Sequence, residues 1–136
     1  MNKTILIIED DPNLLKLIKY NLEKEGYSVI TATSGVEGLQ LARTAVPDLL
    51  IVDVLLPRMD GFTISRMVKF DERYKHIPII ALTGQVSLKD REIGQKAGVD
   101  VYLTKPYDPQ ELLNKVRELL APRPLDDARG SGQGGK

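Results

Sequence analysis

The sequence predicts an α/β fold, a single doubly wound, five-stranded parallel sheet with helices on both faces. Three observations predict it. Short β-branched apolar runs recur five times along the chain. Longer stretches with apolar residues at helical spacing separate them. Most of those stretches open on Asp or Ser, as helix starts do. Strand–helix alternation repeated in this way indicates a parallel sheet, with right-handed crossovers. The 136 residues, 42% hydrophobic and 28% charged, suit one domain with its own core.

Residues 4–8 form a continuous apolar run, as in a strand buried on both faces. Asp11 and Pro12 read as N-cap and first helical residue, with Leu14, Ile18 and Leu22 on one face and Gly26 as the stop. The second strand is read over 29–32, and Ser34 with Glu37 forms a capping box ahead of Leu39, Leu41 and Ala42. The third strand covers 49–52, and Asp60 caps a helix over 61–73. The fourth covers 79–82, and Ser87 with Asp90 opens a helix to Ala97. That helix offers mainly Leu88, Ile93 and Ala97 for burial, so it is expected to be the most mobile, and a candidate switch or docking surface. The fifth strand covers 99–103. Asp108, Pro109 and Glu111 open the last helix, with Leu112, Val116 and Leu119 inward. Beyond it, Pro122, Pro124 and the Gly/Ser-rich run 130–135 cannot form a core. Residues 1–121 therefore read as the domain and 122–136 as a disordered tail or linker.

Composition narrows the function. The 19 basic and 19 acidic side chains balance, so direct nucleic-acid binding, which needs a basic stripe, is not expected. There is no cysteine, which excludes disulfides and thiolate metal sites. No apolar run approaches the roughly 18 residues of a membrane span, and the run before Glu9 is too short and acid-bounded for a signal peptide. No membrane insertion is expected, and the default location is the cytoplasm.

The polar residues that interrupt the pattern gather at one kind of place. Glu9, Asp10 and Asp11 follow strand one, Asp53 follows strand three, Thr83 ends strand four and Lys105 follows strand five. Open α/β sheets bind ligands beyond the carboxyl ends of their strands. Clustered carboxylates repel, and Mg²⁺ resolves the conflict because it takes oxygen ligands from one or two acids, waters and a phosphate. A carboxylate attacks a phosphoryl group poorly, since both are anionic. A cation on one side and the Lys105 ammonium on the other reduce that repulsion, and the Thr83 hydroxyl can donate to a phosphoryl oxygen. The set fits formation of an aspartyl-phosphate. Singly, each residue has a plainer reading: an Asp after a strand as a cap, Thr83 as a strand residue, Lys105 as a surface lysine. Asp11 is assigned to capping. The joint placement at the ends of four strands favours function.

The chain resembles the receiver domain of two-component response regulators. The resemblance rests on Ile5-Leu6-Ile7-Ile8-Glu9-Asp10-Asp11, Asp48-Leu49-Leu50-Ile51-Val52-Asp53 and Leu56-Pro57-Arg58-Met59-Asp60-Gly61, in that order. It continues through Ile79-Ile80-Ala81-Leu82-Thr83-Gly84 and Ala97-Gly98-Val99-Asp100-Val101-Tyr102-Leu103-Thr104-Lys105-Pro106, and spans residues 3–121. It implies a flavodoxin-like sheet in the order 2-1-3-4-5, the order the chemotaxis receiver exemplifies. It implies Asp53 as phosphoacceptor, Mg²⁺ as cofactor, and a metal site of Glu9, Asp10, Asp53 and the Leu55 backbone carbonyl. Thr83 and Lys105 are the implied switch hydroxyl and phosphate-binding lysine, and Tyr102 the switch aromatic. Lys105-Pro106 is implied to be cis, which an X-Pro bond permits. The implied partners are a sensor histidine kinase or histidine phosphotransfer protein, and a downstream effector or fused output domain. The implied switching face is the fourth helix, fifth strand and fifth helix, and the only catalysis implied is the chain's own phosphorylation and dephosphorylation.

There are departures from the family pattern. Glu9 stands for the commoner Asp, and Leu55 and Gln85 border the path of an attacking water. Receivers joined to winged-helix DNA-binding domains carry a second acid where Val101 stands and an Arg where Lys115 stands. The expectation is therefore a monomer or a weak phosphorylation-dependent dimer. Two other readings are weighed. A degenerate receiver, acting as a phosphorylation-independent binding module, would have lost the acceptor, a metal acid or the lysine. A flavin carrier or phosphotransferase enzyme would need a Gly- and hydroxyl-rich anion loop where three acids stand, or a GxxxxGK[ST] loop, which is absent. His76, the single histidine, is read as a surface loop residue rather than a phosphodonor.

Overall fold

Four helix starts are written in the residue before them. In the computed structural model, which describes residues 2–56, 59–84 and 88–121, the first two strands are β1 (Thr4–Ile8) and β2 (Ser28–Ala32), and the helices after them α1 (Pro12–Lys24) and α2 (Gly35–Ala45). Then come β3 (Leu49–Asp53), α3 (Gly61–Lys69), β4 (Ile79–Thr83), α4 (Leu88–Ala97), β5 (Val101–Thr104) and α5 (Pro109–Leu120). Asp11 accepts from the N–H groups of Asn13 and Leu14, Asp60 from Thr63 and Asp108 from Gln110. These bonds satisfy donors that a helix leaves unpaired at its start. Ser34 accepts from the Glu37 N–H at 3.2 Å, while the Glu37 carboxylate reaches back one residue further than a capping box requires, to the Thr33 N–H at 3.0 Å.

The five strands are parallel in the order β2-β1-β3-β4-β5. Register pairs Ile8 with Val52, Asp53 with Leu82 and Thr83 with Thr104, so the carboxyl ends of β1, β3, β4 and β5 align along one edge. Strand alternation divides the core in two. On one face Ile5, Ile7, Leu49, Ile51, Ile80, Leu82 and Leu103 pack against α1 and α5. On the other, Leu6, Ile8, Leu50, Val52 and Ile79 pack with side chains of α2 and α3. Burial on both faces explains why β1, β3 and β4 read as unbroken apolar runs.

Two boundaries differ from the sequence reading by more than a single residue. The third helix ends at Lys69, not near residue 73, with Phe70 as C-cap. Beyond it the Asp71 carboxylate accepts from the Arg73 N–H at 3.0 Å, and the Asp71 carbonyl accepts from Tyr74 and Lys75 at 3.0 and 2.9 Å. An Asp that captures nearby N–H groups competes with helix continuation. The fifth strand begins at Val101, not Val99. Gly98, at φ 88°, ends α4, and the Val99 N–H donates back to the Gly94 carbonyl at 2.9 Å. Asp100 then bridges to β4, its N–H donating to the Ile79 carbonyl at 2.9 Å and its carboxylate accepting from the Ile79 N–H at 2.7 Å. Ile93 is half-buried as expected, but Leu88 is 86% exposed and α4 buries Gly94 and Ala97. Ser87, Gln85 and the segment 122–136, read above as helix start, water-path residue and tail, lie outside the described residues.

Candidate functional site

Four strand ends build the site. Glu9 follows β1 and is fully buried. Asp53 closes the central strand β3 and is 3% exposed. Thr83 closes β4 and is buried, and its carbonyl accepts from the Lys105 N–H at 2.7 Å, which fixes where the lysine leaves β5. Asp10 is exposed at the rim. The structure thus brings the acids and the lysine of the sequence reading to one end of the sheet.

The geometry is that of a charged pocket held by its own backbone. Lys105 Nζ lies 3.1 Å from Glu9 Oε1 and 3.2 Å from Asp53 Oδ2. Glu9 Oε2 accepts from the Asp11 N–H at 3.0 Å, and Asp53 Oδ1 accepts from the Leu55 N–H at 3.1 Å. Lys105-Pro106 is cis. Burial raises the Glu9 pKa above its ordinary 4.5; the Asp11 N–H opposes this, Asp53 adds to it and Lys105 opposes it. For Lys105, burial acts downward, but the pull of Glu9 and Asp53 outweighs it, and its pKa stands above the ordinary 10.5.

One atom tests whether a cation fits. Glu9 Oε1 is buried and makes no hydrogen bond of acceptable geometry, although the Lys105 ammonium is within ion-pair distance. A buried carboxylate oxygen without a hydrogen bond is costly. Glu9, Asp10 and Asp53 each offer a carboxylate oxygen, all within 4.8 Å of one another. Three oxygen donors, one of them lacking a hydrogen bond, fit a hard divalent cation.

Tyr102 stands on β5 opposite Ala81, on the same face of the sheet as Thr83 two residues further along β4. Its ring is half-buried against Phe62, and its hydroxyl donates to the Asp90 carbonyl at 3.2 Å. His76 is exposed in the segment between α3 and β4, away from the strand ends that carry the acids.

The sequence reading placed Gly61 at the start of the third helix and in the Leu56 to Gly61 motif, without a role of its own. Its N–H donates to the Val54 carbonyl at 3.0 Å, and a Cβ there would lie 2.6 Å from the Asp53 carbonyl oxygen. The missing side chain lets the start of α3 abut the backbone of the strand end that carries Asp53. No local signal shows this, because the contact spans eight residues. Gly61→Ala is expected to cost about 1–3 kcal/mol, since the overlapping atoms are backbone and cannot rotate away. Urea unfolding measures it, and a loss below about 0.5 kcal/mol would mean that α3 shifts freely.

Comparison with known proteins agrees with this geometry. The family model of the response regulator receiver domain matches residues 5–117. The DNA-binding dual master transcriptional regulator RpaA of a Synechocystis species is 45% identical over 116 residues, 85% of this chain and 48% of its own. The polar-differentiation response regulator DivK of Brucella ovis is 34% identical over 120 residues, 88% of this chain and 98% of its own. The receiver domain of the Pseudomonas aeruginosa sensor histidine kinase PA1611, solved with magnesium coordinated in its active-site cleft, superposes with a TM-score of 0.81 at 31% identity. That superposition covers 88% of this chain and 98% of the other. The chain spans about half the length of RpaA and of a second transcriptional regulator it matches. Among the described residues no helix is long and apolar enough to cross a membrane. With the sheet order, the acidic pocket and a family match over most of its length, the chain belongs to the response regulator receiver domains.

Proposed function

We propose that Asp53 is the phosphoacceptor of this receiver and that Glu9, Asp10, Asp53 and the Leu55 backbone carbonyl hold Mg²⁺. The observation that carries the reading is a buried Asp53 carboxylate at the end of the central strand, 3.2 Å from the Lys105 ammonium and grouped with two further acids. An Asp53 oxygen attacks the phosphorus of a phosphohistidine, the N–P bond breaks, and the donor imidazole keeps the bonding electrons and takes up a proton. Lys105 neutralises charge on the phosphoryl oxygens, and Thr83 donates its hydroxyl to one of them. Glu9, Asp10 and Asp53 would hold Mg²⁺, which would supply further charge neutralisation to the phosphoryl group. Water later hydrolyses the acyl phosphate, so catalysis is confined to the chain's own phosphorylation and dephosphorylation.

The donor is a sensor histidine kinase or histidine phosphotransfer protein in the cytoplasm. The output is the face of α4, β5 and α5, where Thr83 and Tyr102 report on the phosphoryl group to an effector or a fused output domain. A local charge event biasing a two-state element is the physical form of such a switch. Intact mass after incubation with acetyl phosphate tests the reading. One base-labile phosphate adduct, formed only with Mg²⁺, is expected. No adduct, even with a phosphorylated histidine kinase as donor, would leave a phosphorylation-independent binding module.

A pH-resolved prediction follows from Glu9. Its raised pKa means that ionised Glu9 weakens the metal-free fold: the neutral form is favoured below the unfolded value, and that advantage is lost as pH rises through the folded one. Glu9→Gln is therefore expected to match or exceed wild-type stability at pH 7 in EDTA. The gain should shrink as pH falls towards 4.5, where Glu9 protonates in both states. The variant should also lose most of the stabilisation by Mg²⁺. Thermal melts across pH with and without Mg²⁺ check this, and unchanged Mg²⁺ stabilisation would remove Glu9 from the metal site.

A further inference from the structure

Helix α4 has little of its own with which to hold the sheet. The residues it buries are Gly94 and Ala97, neither of which carries a large side chain. The space beneath it is filled from β5 and α3. The Tyr102 ring meets Phe62 edge to face with centroids 6.3 Å apart, and the Arg91 guanidinium stands 5.9 Å from its centre. The Tyr102 hydroxyl donates to the Asp90 carbonyl, one helical turn before Gly94. A Cβ on residue 94 would overlap the Tyr102 hydroxyl and its Cζ, and would lie 3.0 Å from Phe62 Cε1.

We propose that Gly94 is the seat of Tyr102, a positioning residue whose missing side chain lets the ring lie against α4 and hold that helix on the sheet. The attachment of α4 then depends on a β5 side chain that shares a sheet face with Thr83. A ring that leaves the seat releases the helix, and a helix that lifts frees the ring. The inference stands on packing alone and does not rest on phosphoryl transfer to Asp53.

The test introduces Gly94→Ala into wild type, Tyr102→Phe and Tyr102→Ala. The readouts are the urea midpoint, amide exchange along residues 90–97, and the ring resonances of Tyr102, identified by their loss in Tyr102→Phe. In wild type the substitution is expected to lower the midpoint, speed exchange in α4 and move the Tyr102 signals towards those of free tyrosine. In Tyr102→Phe the midpoint should still fall, because Cζ remains. In Tyr102→Ala the sign should reverse, because the one remaining close neighbour, Phe62 Cε1 at 3.0 Å, is the end of a side chain that can turn aside into the space the ring leaves, and Ala is the better helix former. If Gly94→Ala alone does not fold, folding of the double variant with Tyr102→Ala supports the seat, and its failure overturns it. A midpoint unchanged or raised in wild type, or lowered equally in all three backgrounds, also overturns it.

Discussion

Asp53→Asn is expected to leave the chain at its unmodified mass under conditions in which the wild type gains one phosphate from acetyl phosphate and Mg²⁺. The loss should be complete rather than partial. The amide keeps the shape of the side chain and can still accept from the Leu55 N–H, as Asp53 Oδ1 does at 3.1 Å. It is not a nucleophile at phosphorus, and it removes one of the oxygen donors grouped within 4.8 Å. The fold should survive, because the substitution takes a negative charge out of a pocket already holding Glu9 and Asp10. A folded variant with no adduct assigns the acceptor to Asp53. An adduct of equal yield on the variant would move the chemistry to another residue and would sink the proposed site.

The second large effect is expected at Lys105. Its ammonium lies between Glu9 and Asp53, and its side chain is 28% exposed against 1% and 4% for theirs. Removing one partner of a buried ion pair costs about 3–5 kcal/mol, because the remaining charge loses its compensation. Water reaches part of Lys105, so Lys105→Ala is expected near the lower end, about 3 kcal/mol at pH 7 in EDTA. The raised pKa sets the window. The lysine's contribution is present below the ordinary 10.5 and is lost as pH rises through the higher folded value, while on the acid side the cost should shrink as Glu9, whose pKa stands above 4.5, becomes neutral. Mg²⁺ should recover much of the stability by neutralising the same acids. It should not restore chemistry: phosphoryl uptake is expected to fall about 10²–10³-fold, as when one charge-stabilising donor is lost. Urea unfolding with EDTA or Mg²⁺, paired with the rate of adduct formation, separates the two. Wild-type uptake by a destabilised variant would make Lys105 a structural counter-ion only.

The sequence alone determined the parts of this protein that are written locally. Asp11, Ser34, Asp60 and Asp108 mark helix starts because a cap acts on N–H groups two or three residues ahead, and a linear reading sees them. The unbroken apolar runs of β1, β3 and β4 announce burial on both faces, which only a covered parallel sheet provides. The acids and Lys105 stood out because each follows such a run, and strand polarity places those ends at one edge.

The folded structure decided what depends on contacts between elements and on chain closures that helix and strand propensities do not register. Helix α3 stops at Lys69 because Asp71 gathers the N–H groups beyond it and Tyr74 is drawn in to donate its hydroxyl to the Arg43 carbonyl of α2. Val99 leaves the fifth strand because it closes α4 on the Gly94 carbonyl, which no strand propensity registers. Gly61 and Gly94 gave no signal of their roles, since what they admit, the Asp53 backbone and the Tyr102 ring, comes from other elements. The burial of Glu9 is of the same kind. Residue type says that an acid is present, but only the packing of β1 against β3, with Lys105 arriving from β5, takes it out of water and sets its Oε1 3.1 Å from the lysine ammonium.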